Sequence, residues 1–142
     1  MLKSAIPLLL ILLSAMSLNA QDLSKHQWKD RLILIIAENE KNEKFQEQLT
    51  ELQKNQKGLK DRKLVIYQIL PEKYSTGFQI NNWKNSAKLY KKYKAEESDF
   101  HIILIGLDGG KKLYQTEILS AEKLFDTIDS MPMRQSEMRK NK

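Results

Sequence analysis

Leu32-Ile33-Leu34-Ile35-Ile36-Ala37 is an unbroken apolar run, closed by Arg31 on one side and by Glu38-Asn39-Glu40 on the other. A short continuous run of this kind is a strand covered on both faces, as in parallel or mixed sheets packed between helices. Two further runs read the same way. Leu64-Val65-Ile66-Tyr67-Gln68-Ile69-Leu70 is stopped by Pro71. Phe100, Ile102, Ile103, Leu104 and Ile105 make a third buried strand, with His101 inside it or at its start.

The intervening segments carry a helical period. Phe45, Leu49 and Leu52 fall on one stripe of a helix over about residues 40–56, with Gly58 as its stop signal. Residues 71–83 hold Pro71 and Gly77 without a clear period and read as a long loop containing Tyr74, Phe78 and Trp83. A second helix is expected over about residues 84–95. Asp108-Gly109-Gly110 is a hairpin turn that needs positive φ. The alternation from Lys111 to Glu117 suits an edge strand. Ser120 caps a last helix with the stripe Leu124, Phe125, Ile128 and Met131, and Pro132 ends it.

The order is therefore β-α-β-α-β-β-α. A βαβ crossover followed by a helix, a hairpin and a closing helix is the thioredoxin-like arrangement, here with a central mixed four-stranded sheet and flanking helices. The domain spans residues 21–133, and residues 134–142 read as a basic, partly frayed tail.

Lys3, the run Leu8–Leu13 and the small residues up to Ala20 form a secretory signal peptide over residues 1–20, with cleavage expected near Ala20. Leu18 departs from the small residue preferred there, so an uncleaved N-terminal anchor is the alternative. The run is too short to span a bilayer, which needs roughly 20 apolar residues. The expected location is secreted or periplasmic, with no transmembrane span in the processed chain. Processing removes one charged residue, Lys3, and takes the net charge from +6 to +5.

Absent cysteine carries weight in that setting. The chain has none, which excludes disulfides, a disulfide-linked partner, thiol redox chemistry and thiolate metal ligands. The two histidines, His26 and His101, are far apart and form no metal-ligand spacing. No cofactor is expected. The basic balance admits nucleic acid, anionic lipid or polysaccharide, but lysines interleave with glutamates through most of the chain.

Ile105-Gly106-Leu107-Asp108-Gly109-Gly110-Lys111-Lys112 leads through Leu124-Phe125 and Ile128-Asp129 to Met131-Pro132-Met133-Arg134-Gln135 and Glu137-Met138-Arg139. Together with Trp28-Lys29-Asp30-Arg31, these residues resemble a cysteine-poor thioredoxin/peroxiredoxin-like family of unknown function. That family occurs in bacterial secreted proteins and in the vertebrate matrix protein equarin, with a related domain in sushi-repeat secreted proteins. The resemblance covers about residues 22–140 and implies a thioredoxin-like fold with no settled activity. Its matrix members are linked to adhesion and polyanion binding.

Thiol oxidoreductases of this fold keep their nucleophile after the first strand. Here that segment is Glu38-Asn39-Glu40, a candidate cleft from which thiol exchange and peroxide reduction are chemically excluded. The approach to the third strand, Glu97-Ser98-Asp99-Phe100, also lacks the cis-proline of the redox members. Asp108, Gly109, Gly110, Met131, Pro132, Met133, Arg134 and Gln135 form the most distinctive motif. Arg134 is either an anion clamp or a lock onto Asp108 or Asp129. Lys88, Lys91, Lys92 and Lys94, with Tyr90 and Tyr93 among them, are a candidate basic patch.

No catalytic constellation is present in the sequence: there is no GxSxG, P-loop or dinucleotide fingerprint. The reading that follows is a secreted or periplasmic, non-enzymatic binding module for an envelope or extracellular protein. The alternatives are a thiol-independent enzyme with its site at the end of the first strand, and a polyanion-binding domain.

Overall fold

The computed structural model describes residues 23–79 and 82–142, and the expected signal peptide lies outside them. The strands are β1 (Arg31–Ala37), β2 (Leu64–Ile69), β3 (Lys73–Thr76), β4 (Lys84–Asn85), β5 (Phe100–Ile105) and β6 (Lys111–Gln115). The helices are α1 (Glu43–Gln53), α2 (Gln56–Asp61), α3 (Lys88–Tyr93), α4 (Ala121–Asp129) and α5 (Pro132–Lys140). A short 3-10 turn, Leu23–His26, precedes β1.

One mixed sheet runs in the order β4-β3-β2-β1-β5-β6. β1 is parallel to β2 and antiparallel to β5, so it lies at the centre with both edges paired. Every residue of β1 is buried. Its alternate side chains feed two cores. Ile33 and Ile35 join Phe45, Leu52, Phe100 and Leu124 on the face covered by α1, α2 and α4. Leu32, Leu34 and Ile36 join Tyr67, Ile103 and Leu89 on the face covered by α3 and the 3-10 turn. Each fully buried Leu, Ile or Phe contributes roughly 1.5–3 kcal/mol, so losing either helical layer would expose much of this run.

The sheet has six strands, not the four expected, because the segment read as a loop doubles back on β2. Tyr74 pairs with Ile69 and Thr76 with Tyr67, and Lys73 pairs in turn with Asn85. These strands are too short to show a period. The second helix is correspondingly shorter than expected and begins at Lys88.

Two helix boundaries also differ. Gly58 does not stop the first helix; α1 ends at Gln53, and Gly58 lies inside α2. A Cβ on Gly58 would stand 2.5 Å from Phe125 Cε2, so the glycine allows α2 to approach α4. Pro132 does not end the regular structure. α4 stops at Asp129 and Pro132 opens α5, the place where its missing N–H is harmless. The residues expected to fray from Arg134 onward are therefore mostly helical.

Candidate functional site

The starts of β1 and β2 and the end of β5 share one end of the sheet, since Arg31 pairs with Leu64 and Leu32 with Ile105. Arg31 is a buried cation there, 1% exposed. Its guanidinium donates to Arg62 O at 2.9 Å and pairs with Glu137 at 3.2 Å. Arg134, 4% exposed, donates to Asp129 Oδ1 at 3.0 Å, Asp61 Oδ2 at 2.7 Å and Asp61 O at 3.1 Å. Arg62 closes the network with a two-pronged bond to Asp129, at 3.0 and 2.7 Å. Burial opposes the charge on Asp129, but hydrogen bonds from Arg62 and Arg134 outweigh it and hold the carboxyl below its usual range.

Of the two partners expected for Arg134, the structure provides Asp129. Asp108 instead accepts from Lys112 Nζ at 2.8 Å and from Gly110 N at 2.9 Å. Those bonds hold its carboxyl below the ordinary value, the Lys112 bond most strongly. Gly109 takes φ of +84° at the tip of this turn. Arg31 and Glu137 were not singled out as site residues from the sequence. Their signal was a charged residue set directly against an apolar run, and a glutamate inside the distinctive C-terminal motif. Their pairing joins Trp28-Lys29-Asp30-Arg31 to the Met131–Arg139 stretch.

The two distinctive sequence motifs also meet across a groove of about 300 Å³. Leu107, Asp108 and Lys112 line one side, and Met131, Pro132 and Met133 the other. Met133 is 44% exposed on its rim. Trp28, 63% exposed, adjoins the same turn through its backbone N–H, which donates to Leu107 O at 2.6 Å. Gln135 is exposed on α5.

The opposite end of β1 carries an open cleft of about 440 Å³, lined by Glu38, Asn39, Glu40, Glu72, Lys73 and Asn85 among others. Lys73 pairs with Glu40 at 3.6 Å. Asn42 caps α1 by accepting from Phe45 N at 3.0 Å, and its amide donates to Asp99 at 3.2 Å. The helix end beside the expected nucleophile position is therefore occupied by an uncharged cap.

On α3 the lysines lie on the exposed side, while Leu89 enters the core. Lys92 and Lys111 lie 5.4 and 5.9 Å from the centre of the Tyr93 ring. Beneath them His101 is 1% exposed, with Nε2 against Tyr93 O at 2.6 Å. That contact makes Nε2 the protonated nitrogen, and Nδ1 is buried with no hydrogen-bond partner among the described residues. Burial pushes the His101 pKa down; the Tyr93 bond opposes this and Lys111 adds to it.

Sequence reasoning missed a second polar chain. His26 Nδ1 meets Asp30 Oδ2, and its Nε2 meets the Tyr67 hydroxyl, both at 2.7 Å. Tyr67 is 3% exposed, and burial raises its pKa. The hydroxyl is closed off from solvent, so this chain fastens the 3-10 turn to the sheet. Among the described residues no group of three or more His, Asp or Glu gathers to hold a metal ion. No helix there is long and apolar enough to cross a membrane.

A family model described as Domain of unknown function (DUF4174) matches residues 22–137. No curated protein matches the sequence. Among solved structures, the reduced 2-Cys peroxiredoxin of Plasmodium vivax is similar, with a TM-score of 0.59 and 13% identity. The likeness covers 80% of this chain and 84% of that one. It shows a shared thioredoxin-like fold, while this chain has no cysteine with which to carry peroxiredoxin chemistry.

Proposed function

The chain belongs to the family described as Domain of unknown function (DUF4174), and we propose that it is an exported, non-enzymatic binding module on a thioredoxin-like scaffold. The observation that carries this reading is the end of β1. Where thiol enzymes of the fold hold a nucleophile, this chain has Glu38-Asn39-Glu40, a salt bridge from Lys73 to Glu40, and a helix N-terminus capped by Asn42. Lys73 and Glu40 hold one another, Asn42 is taken up by Phe45 N and Asp99, and among the described residues of this segment there is no nucleophile paired with a base.

The competing reading is a thiol-independent enzyme, and the open cleft at this end gives it a place to act. The triple variant Glu38→Gln, Glu40→Gln, Glu72→Gln separates the two. In growth competition against a strain lacking the gene, a binding module predicts that the triple variant competes as well as the native chain. A folded triple variant that behaves like the deletion would overturn the reading in favour of cleft chemistry. Export is tested separately, by the N-terminus of the chain recovered from envelope or medium. Gln21 at that terminus supports processing after Ala20, and a cytoplasmic chain with Met1 intact would overturn export.

A second reading, polyanion binding, is favoured by one observation. No acidic residue occurs between Asn81 and Ala95, and Lys92 and Lys111 flank the Tyr93 ring. Binding of heparin that weakens steeply with salt and is lost in Lys91→Glu/Lys92→Glu supports it. A flat salt response counts against it.

A further inference from the structure

We infer that the Arg31 end of the sheet docks on an anionic lipid surface, with Trp28 entering the interface. The inference rests on the binding-module reading and specifies what one end of the module meets. Its first basis is how charge is divided at this end. Asp30, Asp61, Asp108, Asp129 and Glu137 are all paired within the molecule. Lys25, Lys29, Lys60 and Lys140 are exposed and have no carboxylate within ion-pair distance among the described residues. Arg139 and Lys142 add cations at the end of α5. Four of these acids face an arginine or a lysine, Asp30 is hydrogen-bonded to His26, and the exposed cations are in surplus. At the other end of β1, Glu38, Glu40 and Glu72 line the cleft against Lys73. The molecule is therefore polarised along the sheet.

The second basis is apolar. Trp28 and Met133 are two of the large hydrophobic side chains left exposed, at 63% and 44%, and both border Leu107. Trp28 is held outward with φ of +68°, a conformation that opposes a bulky side chain and that the surrounding turn must sustain. Tryptophan prefers the boundary between headgroups and hydrocarbon, and neighbouring lysines reach anionic headgroups. The free cations come from separate segments: the 3-10 turn, the loop before β1, α2 and α5. That scatter suits a plane better than a threaded polyanion, which would favour cations along one groove.

The test uses the full chain carrying Trp83→Phe, which leaves Trp28 as the remaining tryptophan. Vesicles of phosphatidylcholine alone are compared with vesicles that also contain phosphatidylglycerol. Binding is expected with phosphatidylglycerol only, with a blue shift of Trp28 emission, protection from acrylamide, and weakening by salt. Lys25→Glu/Lys29→Glu should lower the affinity at least about thirtyfold. Lys91→Glu/Lys92→Glu, on α3, should leave it within about twofold. Met133→Glu supplies an independent variant on α5, expected to weaken binding while circular dichroism stays native.

Binding through the apolar run Leu8–Leu13 would leave Trp28 open to quenching and be insensitive to Lys25→Glu/Lys29→Glu, and would overturn the inference. So would binding to heparin or an oligonucleotide with no binding to vesicles. Either result leaves the growth and export tests of the binding module untouched. Failure of those tests leaves the vesicle result readable in its own right.

Discussion

Arg134 touches three acidic residues from one buried guanidinium: Asp129, Asp61 and Glu137. A planar fork with several donors suits that task, and a lysine ammonium does not. Arg134→Ala should therefore destabilise the protein by about 2–3 kcal/mol, because Asp61 is largely solvated and Asp129 keeps Arg62. Arg134→Lys should recover less than half of the loss. A double-mutant cycle with Asp129→Asn, read by denaturant unfolding, should give coupling of about 1 kcal/mol or more. Coupling near zero would remove the lock from the account of this motif. The motif was visible in the sequence as Met131–Gln135, and so was Asp129 as a partner for Arg134. The role of Arg31 was not visible, because its partner Glu137 lies 106 positions away in the chain. No local pattern encodes such a pairing; the packing of α5 creates it.

Elements were legible where burial imposed a period. The three central strands and the stripe of α4 follow from apolar spacing, and the Ser120 cap from side-chain chemistry, whereas the Asn42 cap emerged only with the structure. What stayed hidden was structure held by pairing alone. β3 and β4 are short and partly exposed, and their register comes from β2 rather than from their own residues. Gly58 shows the same limit at a helix contact. In an isolated helix Gly→Ala gains about 1 kcal/mol. Here the new methyl meets Phe125, whose ring is also covered by the Arg62 guanidinium at 4.0 Å. Gly58→Ala should therefore destabilise by about 1–3 kcal/mol, measured by denaturant unfolding. Adding Phe125→Leu should restore most of that loss. A single substitution that raises the melting temperature would show that α2 moves away freely.

Stability against pH belongs to the whole molecule, and the two ends of the titration range report different parts of it. His101 is buried neutral, so its folded pKa lies below the ordinary 6.5. As pH falls below that value the unfolded chain takes up a proton that the folded chain refuses, and stability falls. The contribution is complete above 6.5 and declines toward the folded pKa. Asp129 is depressed by Arg62 and Arg134 against the opposing effect of burial. Its contribution is complete above the ordinary carboxylate value of 3.8 and disappears as pH falls through the lower folded value. Two declines are therefore expected on acidification, the first tied to the β5–α3 contact and the second to the arginine network. His101→Gln keeps an amide donor near Tyr93 O and removes the titration. Thermal melts of that variant from about pH 7 to about pH 5 should be flatter than those of the native chain, with the lower decline unchanged. If native and variant chains lose stability in parallel over that interval, the unpartnered Nδ1 is accommodated when protonated, and the upper decline has another source.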